Sequence, residues 1–474
     1  MENNIPGYFF FGLIFALCLA IALLVYFFGI IAIFIAACAL VLLVSLSNNK
    51  RLLLFLLFFI PVLPKINLLS IPGSTIAVRV EDILFTIVIF SVIFTALIKK
   101  ESLRMDKFKR TVFWFIAISF LSLLLGILQG SIEVQTAPFM FFLRRVEYIS
   151  FFFLAYLIAD AESIDLIKRT IVPTFLVVAI IAVLQAVNMF GCFFHGEYIP
   201  EGIGRVLSTF STPGELAAYL AIIFTFSVFG ILDKKPFRKF FWLVIAGSQV
   251  FILFLATTRI EFISIPLGLA FLGIMKGKIR QLIIVFVLLA VISFVFAPST
   301  LRERFSLIFS RETGETISDV ATGRGSVDIN NALESEKFVP PEYDLSALMR
   351  IYYWMNAIDV FKTYPILGAG PSALGDVVDN NYLRVLGENG IAGFAVFVIL
   401  IYQIWKNCVR VYNNEMMSKE TRDYALFVLV MLVNMLVIAL MADVFEMSKI
   451  AFLFWLLVGV FFKVKDLSEK EYSA

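Results

Sequence analysis

Apolar runs recur along the whole chain, separated by short polar links. A run of about 18 or more uncharged apolar residues predicts a transmembrane helix. Apolar runs of that length or shorter fall at roughly 8–28, 30–46, 52–64, 82–98, 112–129, 138–159, 171–190 and 216–232. They continue at 241–256, 262–275, from Arg280 to about Phe296, and at 390–405, 424–441 and 450–462. The count is fourteen, and because 30–46 and 52–64 are short, twelve or thirteen are the alternatives. No run alternates as a barrel strand does, so backbone groups in lipid are satisfied only in helices. The expectation is an all-α polytopic bundle, a single membrane domain over 1–474, with one large polar loop at about 298–388. The first run follows Met1-Glu-Asn-Asn without basic residues or a small-residue cleavage site, which predicts a first span rather than a removed signal peptide.

Composition agrees with that pattern. The chain is 61% hydrophobic and 16% charged, where a soluble domain carries about 25% charged residues. The net charge of +3 matters less than its distribution. Every second loop is rich in Lys and Arg: Asn48–Arg51, 99–110, Lys168-Arg169, 233–239, 276–280 and 406–422. The positive-inside rule puts those loops in the cytoplasm, which places both termini inside and 298–388 outside. Cys18, Cys38, Cys192 and Cys408 give neither a disulfide framework nor a metal spacing. His195 is the single histidine; it excludes a multi-histidine metal site, and no metal or cofactor is expected.

The two sides use different basic residues. Lysines dominate the inner loops, whereas Arg79, Arg144, Arg145, Arg205, Arg259, Arg302, Arg304, Arg311, Arg324, Arg350 and Arg384 lie outside or within the membrane. Topology needs only positive charge. A guanidinium adds a fork of donors that fits phosphate and keeps its charge when desolvated. An outward-facing site for a phosphate-bearing ligand follows, the alternative being arginines that pair with loop carboxylates.

Five stretches carry the candidate chemistry. Phe142-Leu-Arg-Arg-Val-Glu-Tyr148 puts Arg144, Arg145 and Glu147 inside the sixth apolar run, where one arginine costs at least about 2.5–3.5 kcal/mol. Arg144 and Glu147 are spaced to share a helix face and pair, while Arg145 points elsewhere. Arg205 precedes Ser211-Thr-Pro-Gly-Glu215, a helix cap with proline in the first turn, and free N–H groups beside an arginine make an anion site. Thr257-Thr-Arg259 ends the ninth run, with an interfacial anchor as its alternative role. The longest constellation runs from Arg350-Ile-Tyr-Tyr-Trp354 through Tyr364-Pro-Ile-Leu-Gly-Ala-Gly-Pro371 to Asp379-Asn-Asn-Tyr-Leu-Arg-Val-Leu-Gly-Glu-Asn-Gly390. Gly368-Ala-Gly370 lacks the spacing and preceding strand of a nucleotide loop and reads as a turn. Asp379, Tyr382, Leu383 and Leu386 follow helical spacing, so a helix is expected to lie over the bundle there. Asp443, Glu446 and Lys449 form a last polar cluster between the final two runs.

Over roughly 200–400 these residues resemble the O-antigen polymerase and O-antigen ligase superfamily. The resemblance rests on the Arg205 loop, the Thr257–Arg259 turn, Arg350 to Trp354, Tyr364-Pro-x-x-Gly-x-Gly370 and Asp379-Asn-x-Tyr-Leu-x-x-Leu-x-Glu-x-Gly390. It implies transfer of a glycan from an undecaprenyl-diphosphate carrier to a sugar hydroxyl, on the outer face of a bacterial cytoplasmic membrane. Neither nucleotide sugar nor metal is implied. Membrane lipids and the carrier-linked oligosaccharide are the expected partners, a chain-length regulator is a further candidate, and nucleic acid is not. Ligases of the family typically have His-Asn where this chain has Asp379-Asn380, which favours a polymerase of O-antigen, capsule or exopolysaccharide. On that reading Arg205 and Arg259, helped by Arg144 or Arg145, stabilise the departing diphosphate. Asp379 is the first choice for the base, with Glu388 and Asp443 behind it. Arg350, Asn380, Tyr382 and Trp354 are substrate-binding candidates. The rivals are a ligase acting on a lipid A core and a transporter of a small anion or lipid-linked sugar. No inverted repeat or matched broken helices support the transporter.

Overall fold

The computed structural model describes residues 49–70, 77–98, 105–132, 136–187, 205–232, 236–256, 258–295 and 345–473. The first two expected spans, His195, Thr257 and the loop through 344 lie outside the described residues. The described elements are α1 (Asn49–Val62), β1 (Asn67–Ser70), β2 (Ala77–Arg79), α2 (Val80–Ile98), α3 (Lys107–Gln129), α4 (Thr136–Ile158), α5 (Ser163–Ala186) and α6 (Pro213–Ile231). They continue with α7 (Pro236–Ala256), α8 (Glu261–Lys276), α9 (Ile279–Val295), α10 (Leu345–Thr363), α11 (Asn381–Asn413), α12 (Lys419–Ile438) and α13 (Ser448–Ser473). The protein is a polytopic helical membrane protein. Each predicted run from 52 onward falls on a helix. Seven helices among the described residues are long and apolar enough to cross a membrane by themselves. The only described strands form a short antiparallel hairpin, β1–β2.

Local chemistry sets the helix ends. The Asp106 carboxylate accepts from the Lys109 N–H at the start of α3, and Gly130 closes it in the left-handed conformation. Ser418 caps α12 through the Thr421 N–H. Asn380 caps α11, its side chain accepting from the N–H groups of Tyr382 and Leu383. The helix then breaks at Gly390, where φ is 61° and ψ −168°. Residues 381–389 therefore form a separate rod that meets the membrane-crossing half at an angle.

Large apolar side chains such as Phe90, Phe94, Leu97, Trp114 and Leu128 point outward, as a surface facing lipid requires. Inside, close approach carries the packing, because lipid gives helices no hydrophobic reason to associate. Gly459 lets α13 lie against the backbone of α4 at Phe152, and Gly268 lets α8 meet Asn434 of α12. Phe85, Phe151 and Phe452 interlock α2, α4 and α13 with ring centroids 4.4–5.0 Å apart.

Long-range hydrogen bonds show which helix ends meet. The Lys449 ammonium donates to the carbonyls of Pro61 at the end of α1 and of Thr209 just before α6. The Gln185 amide near the end of α5 donates to the Ser208 carbonyl. The Val206 N–H donates to the Leu255 carbonyl at the end of α7. At the opposite end, Lys50 at the start of α1 pairs with Glu162 before α5, and Lys276 at the end of α8 pairs with Asp423 at the start of α12. Consecutive helices thus run up and down between an arginine-bearing end and a lysine-bearing end. The rod 381–389 crosses the arginine-bearing end: the Asn381 N–H donates to Ala439 O after α12, and the Ser122 hydroxyl of α3 donates to Glu388 O.

Candidate functional site

The turn between α12 and α13 organises the arginine-bearing end. The Asp443 carboxylate accepts from the N–H groups of Val378 (2.8 Å) and Asp379 (3.1 Å) and from Arg384 (3.0 Å). The Phe445 N–H donates to Asn381, Glu446 pairs with Arg145 at 2.7 Å, and the Ser448 hydroxyl donates to Glu81. Arg145 and Arg384 grip Glu388 from two sides, at 2.6 and 3.0 Å. All three are buried, with Glu388 at 0% exposure. Removing one partner from such a cluster strands a buried charge, so the members hold one another in place. Burial pushes the Glu446 carboxyl up, Arg145 opposes that, and Glu388 adds to it.

Asp379 sits at the edge of this network. It has a positive φ of 55°, a conformation that aspartate tolerates better than most residues and that concentrates at functional sites. Its backbone is pinned on both sides, since Asp443 takes its N–H and the Trp354 indole donates to its carbonyl at 3.3 Å. The Arg350 Nε donates to its carboxylate at 3.1 Å. The side chain remains 28% exposed. Burial pushes its carboxyl above the ordinary range, Arg350 pulls it back, and Asp443 pushes the same way as burial. A fixed, reachable carboxylate with a raised pKa is equipped to accept a proton.

The structure brings Asp379, Arg350, Trp354, Asn380, Tyr382, Glu388, Asp443 and Arg145 into one connected cluster. Asn380 caps its helix and donates to Leu440 O, and the Tyr382 hydroxyl donates to Leu436 O, so both also hold the rod against α12. Arg205 and Arg259 are half-buried on neighbouring segments, because the Val206–Leu255 bond ties the Arg205 stretch to the end of α7. Arg350 is near enough to interact electrostatically with Glu261, two residues beyond Arg259.

Two expectations change. Arg144 pairs with Asp82 at 3.6 Å and donates to the Ala77 carbonyl at 2.5 Å, rather than pairing with Glu147. The β1–β2 hairpin delivers the start of α2 to that face, and its carboxylate takes the guanidinium. The α6 N-terminus is not an open anion site either. The Glu215 carboxylate folds back onto the Ser211 N–H and hydroxyl and pairs with Lys65 at 2.9 Å. Lys449 donates its backbone N–H to the same carboxylate. Burial pushes the Lys65 ammonium down, with Glu215 opposing it.

Residue type and spacing point to Arg384 only as one of the outer arginines, to Glu446 only within a polar cluster and to Glu215 only within a helix cap, and not to Lys65. Two signals were present. Arg384 and Glu388 stand four apart, the spacing of a helical ion pair. Lys65 and Lys449 are lysines on the side that otherwise prefers arginine, and both turn out to be buried against Glu215.

Fold and site together define a multi-pass helical membrane protein with an ordered, ion-paired polar site at one end of its bundle. Residues 244–398 match the family model described as O-antigen ligase. The match bears out the likeness to the O-antigen polymerase and ligase superfamily over that stretch. It takes in α8, α9, α10 and the rod carrying Glu388, and stops short of Asp443, Glu446 and Arg145 in the same network. No curated protein matches the chain.

Proposed function

We propose that the protein is a polysaccharide polymerase, which moves glycan from an undecaprenyl-diphosphate carrier to a hydroxyl of another carrier-linked repeat unit. The observation that carries this reading is Asp379, a partly exposed carboxylate with a pinned backbone beside Arg350, at the position where ligases of the superfamily typically have histidine. In the reaction the acceptor hydroxyl gives its proton to Asp379, and its oxygen bonds to the anomeric carbon. The bond from that carbon to the phosphate oxygen breaks, and the electron pair leaves with the lipid diphosphate. Arg205 and Arg259 stabilise the charge that develops there, as preorganised donors in a partly dry site do. Glu388, Asp443, Arg145 and Arg384 form the rigid support that fixes Asp379, and Tyr382, Trp354 and Asn380 shape the approach of the sugar. The site faces outward from the cytoplasmic membrane, and both termini face the cytoplasm.

The test is purified protein in liposomes with carrier-diphosphate-linked repeat units from the source organism. A ladder at repeat-unit spacing is expected, lost on Arg205→Ala or Arg259→Ala with the protein still folded. A single shifted product formed only on addition of a lipid A core would replace this reading with a ligase.

A further inference from the structure

The helix α10 presents three faces. Arg350, Trp354 and Ala357 turn toward the protein: the first two hold Asp379, and Ala357 packs with Leu374 and Val378. At 100° per residue, Ile351, Met355 and Ile358 (i, i+4, i+7) form a second flank. Asn356, Asp359 and Thr363 (i, i+3, i+7) form a third together with Tyr352, whose hydroxyl suits a wet boundary, and all four are exposed. On the apolar flank Met355 is 48% and Ile358 39% exposed, and Ile351 is half-buried. Lys362 closes that flank and pairs with Asp359 at 2.9 Å, a position from which its stem can lie on apolar surface while its charge reaches water.

From α10 the chain leads directly onto the membrane-facing surface. Past the end of α10, Ile366 is 68% exposed. The carbonyls of Pro365 and Ile366 accept from the N–H groups of Ile391 and Ala392, at the start of the crossing half of α11. Ile391 is 52% exposed, and the exposed Val398, Ile399 and Tyr402 carry the same surface down the span. Moreover α10 lies across the bundle end rather than standing off it. Its Arg350 meets Asp379 beside α12, its Ala357 carbonyl lies beside Gly387, and the chain after it reaches Gly126 and Ser131 at the end of α3.

We propose that α10 is a membrane-surface helix, which rests its Ile351–Met355–Ile358 flank on the lipid bilayer and leaves the Asn356–Asp359–Thr363 flank in water. A helix lying flat in this position buries an exposed apolar flank at the boundary of headgroups and acyl chains. On the function proposed above, this contact sets the height of Asp379, which α10 holds through Arg350 and Trp354, at the depth where a lipid-linked diphosphate resides.

The test is site-directed spin labelling in liposomes, at Ile358→Cys and Asn356→Cys, on full-length protein with its native cysteines replaced by serine. It reads collision of the label with oxygen, which concentrates in lipid, and with a neutral nickel chelate, which stays in water. The label at 358 is expected to collide chiefly with oxygen and the label at 356 chiefly with nickel. The same ranking at both positions, or low collision with both agents at 358, overturns the proposal, the latter meaning that protein covers the flank. Neither readout depends on glycan transfer, so failure of the proposed reaction and failure of this contact are told apart.

Discussion

Asp379 differs from the carboxylates around it in a way that can be measured. Glu388 is fully buried between two guanidiniums, whereas Asp379 has one arginine and partial exposure. Asp379→Asn is therefore expected to abolish transfer and leave the melting temperature of the detergent-solubilised protein unchanged. Glu388→Ala should do the opposite first. It leaves Arg145 paired only with Glu446 and Arg384 only with Asp443 and costs up to about 3–5 kcal/mol, a large part of the roughly 5–15 kcal/mol that holds a domain together. Its melting temperature should fall clearly below that of wild type. The pH profile gives an independent check. A base must be deprotonated, so kcat/KM rises with pH through the pKa of Asp379, and burial places that limb above the ordinary aspartate range. Arg350 opposes the shift, so Arg350→Gln is expected to move the limb still higher. A limb that stays put, or moves down, would remove Asp379 from the role of base.

At the scale of elements, the crossing helices were legible because length and apolarity suffice to specify them. Capping was legible as well: Thr212 and Pro213 start α6, as their residue types predict. The pairing of helix faces was not. Arg145 meets Glu388 across 243 positions and Lys65 meets Glu215 across 150, and periodicity along one helix says nothing of which other helix its polar face will find. The break at Gly390 shows both sides of this. The sequence set a polar helix against an apolar span at that point, but not the backbone geometry between them. With φ 61° and ψ −168°, Gly390 lies in a region that is essentially open to glycine alone, at a cost of about 1–3 kcal/mol for other residues. A side chain there would also strike the carbonyl of Ile366. Gly390→Ala is accordingly expected to lower the melting temperature and to reduce transfer more than stability alone accounts for, because it re-aims the rod that carries Arg384 and Glu388. Kinetics on the folded fraction would separate the two effects.

For the whole molecule, the two ends of the bundle differ in what their cations do. At one end Arg145, Arg350 and Arg384 are engaged with carboxylates, and the lysines Lys65 and Lys449 are buried. At the other, Lys50 and Lys168 stand exposed beside Glu162 and Asp165, where the pairs contribute little to stability but charge still biases insertion toward the cytoplasm. The alternation of helix directions ties every crossing segment to that choice, so the orientation of one loop fixes the rest. In intact cells, with the native cysteines replaced, a membrane-impermeant maleimide should label Asp376→Cys directly and Glu162→Cys only after permeabilisation. Both positions are exposed, so failure to react reports the side of the membrane rather than burial. The reverse pattern would put Asp379 in the cytoplasm, where nucleotide sugars are plentiful and flipped lipid-linked repeat units are not, and would overturn the polymerase reading whatever the in vitro ladder showed.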